Sequence, residues 1–226
     1  MHKKNLKAVL FDLDGTFADT AQDLAEALNY VLQKNNKQTL NFNQIRPVVS
    51  NGGAALIKLG FQIEEEHPNF DTYRQQLLDY YEKNIAKFTR PFNGMDKVLN
   101  FFERQQIDWG IVTNKPAWLT DPLMSALTLP NQPQCIVSGD TLKTRKPDPG
   151  PLLHACKLIN ATPEHTIYIG DAKRDIEAGQ NANMQTLVAL FGYIGEDDSP
   201  DSWGATDSVA HPHDIIEWIQ QNRTIA

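Results

Sequence analysis

Four consecutive apolar residues, Ala8–Phe11, run into Asp12 and Asp14 and stop there. A run this short, closed by acidic residues and Gly15, predicts a parallel strand buried on both faces that delivers a loop at its carboxyl end. Segments 109–113, 135–137 and 167–169 repeat the pattern, ending in polar or glycine-containing sequence such as Thr113-Asn114-Lys115 or Gly170-Asp171, and 185–190 reads as a fifth strand. Between them, Val98, Leu99 and Phe102, then Leu152, Leu153 and Cys156, and Ile176 within 173–182, fall at helical spacing. Strands alternating with helices predict right-handed crossovers and a doubly wound parallel α/β sheet, a Rossmann-like core. Ligands of such sheets bind beyond the carboxyl ends of the strands, which is where the polar residues of this chain gather.

One stretch breaks the alternation. Residues 20–88 carry helix after helix without a convincing strand, with Leu24, Leu28, Val31 and Leu32 followed by Phe70, Tyr73, Leu77, Tyr80 and Phe88. The pattern predicts an inserted helical cap over 20–89, with the core built from 1–19 and 90–226. Arg90-Pro91-Phe92-Asn93-Gly94 is the expected return hinge, because proline and glycine punctuate elements.

With 226 residues, 41% of them hydrophobic, the chain is long enough for one sizeable domain plus an inserted module. Its net charge of -7 provides no basic field for nucleic acid or an anionic membrane surface, so neither is expected as a partner. The basic start, Lys3, Lys4 and Lys7, leads into an apolar run that Asp12 and Asp14 cut well short of a signal-peptide core, and no segment approaches a membrane span. Two cysteines, Cys135 and Cys156, make no disulfide framework and point to a reducing, cytoplasmic setting. The six histidines show no clustered ligand spacing; His211 and His213 straddle Pro212 and are expected to cap the last helix.

Asp12-Leu13-Asp14-Gly15-Thr16 follows the first strand directly, and strand alternation sends the Asp12 and Asp14 side chains to the same side. Two carboxylates this close repel unless a cation or shared proton intervenes. A hard divalent ion suits them, magnesium where a phosphate completes the shell; a solvated acidic turn is the alternative reading.

The pentapeptide resembles the signature of the haloacid dehalogenase-like phosphatase superfamily. That resemblance implies that Asp12 attacks phosphorus and that Asp14 serves as general acid and base. The later family motifs stand in order: Thr113 matches the hydroxyl that holds a phosphoryl oxygen, Asn114 adds an amide donor, and Lys146 in Lys146-Pro147-Asp148-Pro149 matches the family lysine. Gly170-Asp171 matches the magnesium-binding acidic motif, with Asp175 supporting the shell, so that magnesium is expected on Asp12, the Asp14 carbonyl and Asp171. Ala172 departs from the pattern, since many relatives carry an acidic or hydroxyl residue there.

A helical insert after the first motif resembles the phosphoglycolate phosphatase-like branch. Val112-Thr113-Asn114-Lys115-Pro116, Arg174-Asp175-Ile176-Glu177, Phe191-Gly192-Tyr193-Ile194 and the tail from Trp203-Gly204-Ala205 to His211-Pro212 resemble, within it, the N-acetylmuramic acid 6-phosphate phosphatases of cell-wall recycling. The implied substrate is that small phosphorylated sugar, with 2-phosphoglycolate as runner-up and a phosphosugar mutase as a third reading; the implied assembly is a monomer or homodimer. Selection is expected from the cap, with Arg46 for a substrate carboxylate and Ser50, Asn51, Gly52 and Gly53 as a loop facing the site, or else as a plain interhelix turn.

Overall fold

The computed structural model describes residues 4–225; Lys3 of the basic start and the outermost positions of the predicted core segments lie outside them. The chain enters through β1 (Lys4–Leu6) and β2 (Ala8–Phe11), passes a short β3 (Ala18–Asp19), and runs through α1 (Ala21–Lys34), α2 (Phe42–Ile45), α3 (Gly52–Phe61) and α4 (Phe70–Lys83). It returns on β4 (Arg90–Pro91) into α5 (Met95–Gln105), β5 (Asp108–Val112), α6 (Ala117–Ala126), β6 (Cys135–Val137) and α7 (Gly150–Leu158). β7 (Thr166–Gly170), α8 (Lys173–Asn181), β8 (Gln185–Ala189), β9 (Asp207–Val209), α9 (Asp214–Asn222) and β10 (Arg223–Ile225) complete it.

Six of the described strands form one parallel sheet in the order β6-β5-β2-β7-β8-β9. Counted along the chain this is 3-2-1-4-5-6, the doubly wound order whose ligand crevice lies where the strand order reverses, between the first and fourth strands. β2 takes the central place because all four of its residues are wholly buried. Its side chains alternate: Val9 and Phe11 pack with Val98, Leu99, Phe102 and Ile219 on one face, Ala8 and Leu10 with Leu152, Ala155 and Ala178 on the other. Each such fully buried large side chain contributes roughly 1.5–3 kcal/mol. Phe11 pairs with both Ile111 and Ile169, which places Asp12, Thr113 and Asp171 together just past the strand ends.

The five strands expected from apolar runs are present, and β9 is a sixth. Its sequence hid it: at the sheet edge Asp207 and Ser208 are exposed and only Val209 is buried, so no apolar run forms. His213 stands at the start of α9 without a side-chain capping bond; the acceptor there is Asp214, which takes the His211 N–H at 2.8 Å.

Between β3 and β4 the chain is helical. Leu24, Leu28, Val31 and Leu32 of α1 pack on Ile57, Leu77 and Tyr81 in a cluster of their own. Antiparallel pairing of β3 with β4 sets the outgoing and returning chains side by side. At the start of α1 the Tyr193 hydroxyl accepts the Thr20 and Ala21 N–H groups at 2.6 and 2.9 Å, satisfying donors that a helix leaves open. The predicted loop at 50–53 is instead helical: a 3-10 turn, Arg46–Asn51, passes directly into α3, and Gly52 (φ 80) supplies the left-handed junction that a side chain would strain.

Asp23, buried in α1, accepts the Phe88 and Thr89 N–H groups at 3.0 and 2.9 Å and the Thr89 hydroxyl at 2.6 Å. Asp23→Ala leaves these donors unsatisfied, and chemical denaturation is expected to show a loss of about 3 kcal/mol. Asp121→Ala, at an exposed position of α6, is the comparison and should cost less than about 0.5 kcal/mol.

Candidate active site

Asp12 is 3% exposed and its Oδ1 is held twice, by the Leu13 N–H and by the Lys146 ammonium, each at 2.8 Å. No described residue donates to Oδ2. Lys146 is itself fixed: its Nζ donates to Asp175 Oδ1 and to the Tyr168 hydroxyl, both at 2.7 Å, and Tyr168 donates on to the Val112 carbonyl at 2.9 Å. Burial raises the Asp12 carboxyl above its usual range, although Lys146 opposes the shift.

Asp171 accepts the Thr16 hydroxyl on Oδ1 at 3.1 Å, and on Oδ2 the Ser50 hydroxyl at 2.7 Å and the Tyr193 N–H at 2.9 Å. Burial, then the charges of Asp12 and Asp175, push it up to about 7. Asp12, Asp171 and Asp175 each bring an oxygen within 4.8 Å of the others. Three buried carboxylates close together, two of them sharing Lys146 and the third pushed upward by burial and by its neighbours' charge, are a set of oxygen donors that a hard divalent cation fits. Asp175, expected to support the metal shell, belongs to this cluster, where its Oδ1 also holds Lys146 and its Oδ2 accepts the Ala172 N–H at 3.0 Å.

A cavity of about 420 Å³ opens over these strand ends. Asp12, Asp14, Thr113 and Asn114 line it from the sheet, and Ser50, Asn51, Gly52 and Gly53 from the helical segment. Thr113 is 4% exposed and its hydroxyl oxygen accepts the Lys115 N–H at 3.1 Å. The Asn114 side-chain amide pairs with the Lys146 backbone at 3.0 and 3.1 Å, so its observed contact fixes the lysine's loop. Arg46 does not line the cavity: its guanidinium donates to the Phe191 carbonyl at 3.1 Å and lies 4.9 Å from the centre of the Tyr193 ring.

The sequence reading missed Lys115. Its Nζ lies 3.0 Å from Asp14 Oδ1 and donates to the Tyr81 hydroxyl at 3.0 Å, joining a strand end to α4. Burial works against its charge, but Asp14 and Tyr81 outweigh burial and hold the ammonium above its usual range. Its signal was positional, two residues past Thr113 at a strand end, where alternate residues share a side. Asp14 Oδ1 also accepts the Thr20 hydroxyl at 2.7 Å.

Residues 9–189 match the family described as haloacid dehalogenase-like hydrolase. The chain belongs to that family. Among its relatives, this hydrolase is 36% identical to the N-acetylmuramic acid 6-phosphate phosphatase of Pseudomonas aeruginosa, with 98% of each chain covered. It is 37% identical to the protein of the same name in Pseudomonas putida, over 95% of this chain and 96% of that one. A phosphoglycolate phosphatase of Xylella fastidiosa is 37% identical over 92% and 90%. Among solved structures, a protein from Haemophilus somnus described as a predicted phosphoglycolate phosphatase superposes with a TM-score of 0.83 at 23% identity, covering 94% of this hydrolase and 97% of that chain. CbbY from Rhodobacter sphaeroides does so at 0.73 and 18%, covering 93% and 96%. Both share its fold.

Proposed function

We propose that this hydrolase is a magnesium-dependent phosphatase that cleaves N-acetylmuramic acid 6-phosphate through an aspartyl-phosphate. The observation that carries the chemistry is the Lys146–Asp12 pair, which fixes Oδ1 of a carboxylate that lines the cavity with Thr113 and Asp14 while no described residue donates to Oδ2. Oδ2 attacks phosphorus, the bond from phosphorus to the sugar oxygen breaks, and Asp14 gives its proton to the departing alkoxide. Water then attacks the acyl phosphate, Asp14 takes the proton, and inorganic phosphate and the Asp12 carboxylate are released.

Thr113 orients a phosphoryl oxygen, while Lys146, held by Asp175, offsets charge between nucleophile and phosphoryl group. Asp12, the Asp14 carbonyl and Asp171 would hold magnesium, which when bound neutralises phosphoryl oxygen charge. Residues 20–89 act as a cap over a core of 1–19 and 90–226, and closure excludes bulk water. Two buried, unpaired cysteines suit a reducing cytoplasm, and among the described residues no helix is long and apolar enough to cross a membrane.

For the substrate, support comes from likeness to the two Pseudomonas enzymes over nearly the whole chain and from a cavity with room for more than a two-carbon acid. The Xylella relative supports 2-phosphoglycolate as the second reading. Phosphate release from a panel of phosphometabolites, with magnesium, is expected to give the highest kcat/KM for N-acetylmuramic acid 6-phosphate. Faster hydrolysis of 2-phosphoglycolate would replace that substrate with the second reading. A requirement for an activating bisphosphate would instead mark a mutase.

A further inference from the structure

Four cationic side chains line the cavity, and two of them are engaged within the protein. Lys115 is held by Asp14 and Tyr81, and Arg174 donates to the Ser50 carbonyl at 2.6 Å and to Asn51 Oδ1 at 3.1 Å. The Arg74 and Arg145 guanidinium groups make no hydrogen bond or ion pair with the described residues. Arg74 stands on α4 four residues before Leu78 and seven before Tyr81, a spacing that places all three on one helix face; all three line the cavity. From the core side, Trp118 near the start of α6 lines the same cavity and remains 41% exposed. An indole left open to water beside a catalytic cavity is an apolar surface that a ligand can cover.

We propose that Arg74 and Trp118 form the subsite for the end of the substrate remote from phosphorus, Arg74 pairing with a carboxylate and Trp118 covering the C–H face of a pyranose ring. This deepens the phosphatase reading above and rests on it. Asp12, Thr113 and Lys146 serve the phosphoryl group alone and cannot distinguish one phosphomonoester from another. A substrate with a second anionic group needs a cation not already paired. Arg46, the cation expected from sequence, is held by Phe191 and Tyr193; Arg74 is unpaired and lies on the helical side that would close over the substrate. An N-acetylated hexose bearing a lactyl ether supplies both features, a carboxylate for the guanidinium and a ring face for the indole.

Steady-state kinetics of the full chain with magnesium test this on three esters. They are N-acetylmuramic acid 6-phosphate, N-acetylglucosamine 6-phosphate, which has the ring without the lactyl carboxylate, and 2-phosphoglycolate. Arg74→Gln is expected to lower kcat/KM for the first by at least about tenfold, as loss of a charged hydrogen bond does. The loss should be confined to that carboxylate-bearing sugar. Trp118→Ala should lower both sugar phosphates about tenfold, the scale for truncating an aromatic anchor, and Trp118→Phe should keep most of the activity. Equal losses on all three esters, no loss in either variant, or a carboxylate preference removed by Arg145→Gln and kept in Arg74→Gln would each overturn the subsite while leaving the phosphatase reading intact. Wild-type protein that prefers 2-phosphoglycolate to both sugars would overturn the substrate reading and this subsite together. Both positions are exposed, and melting temperatures like that of the wild type show that the fold is retained.

Discussion

Asp12→Asn is expected to lower turnover by at least about 10⁴-fold, the scale on which removing a covalent nucleophile acts. The carboxamide keeps the shape of the side chain but lacks the anionic oxygen that forms the acyl phosphate. The buried charges tolerate the change, because Lys146 retains Asp175 at 2.7 Å and the variant loses only one of three clustered carboxylates. Melting temperature should therefore stay near that of the wild type while activity disappears. A second measurement separates chemistry from binding: wild-type protein quenched in acid during turnover should carry phosphate on the peptide containing Asp12, and the variant should carry none. An Asp12→Asn protein that turns over near the wild-type rate would falsify the covalent route. Asp14→Asn should slow both half-reactions without preventing attack, so some labelled enzyme should still form.

Much of this site could be read from the sequence because its residues sit at strand ends, where a short apolar run stops at a polar residue. Asp12 after β2, Thr113 after β5 and Asp171 after β7 each follow such a run, and adjacent pairing of these strands then brings the three together. What the sequence could not show were contacts that depend on how the helical segment sits against the sheet. Ser50 reaching Asp171, Arg174 reaching the Ser50 carbonyl, and Tyr81 meeting Lys115 all span 34 residues or more along the chain and follow no local period. Arg46 shows the same limit from the other side. Its charge and its place before the glycine pair suggested a ligand, but Tyr193, some 150 residues on, offers its ring to that guanidinium. β9 was hidden for a different reason, since an edge strand with one buried residue carries almost no hydrophobic signal.

Removal of divalent cations is expected to silence the enzyme, and magnesium to restore it. Of the roughly four lone-pair sites on the Asp171 carboxylate, Thr16, Ser50 and Tyr193 fill three, leaving one on Oδ1 for a cation. Without a cation, burial and the neighbouring carboxylates push Asp171 up to about 7, so its ionised form is the costly one. A bound ion reverses that balance and, by mass action, stabilises the native state by about 2.7 kcal/mol at a hundred times its dissociation constant. Thermal melts of chelated protein should thus rise in temperature as magnesium is added, a readout independent of turnover. Asp171→Asn, which removes one negative charge from the group, should lose most of that rise together with the activity. Calcium should raise the melting temperature without supporting much turnover, because its longer and more flexible oxygen shell leaves the Asp12 carboxylate poorly aligned for attack. Thoroughly chelated protein that hydrolyses its substrate at the full rate would exclude the metal assignment, and an Asp171→Asn variant that keeps both the rise and the rate would exclude Asp171 as its ligand.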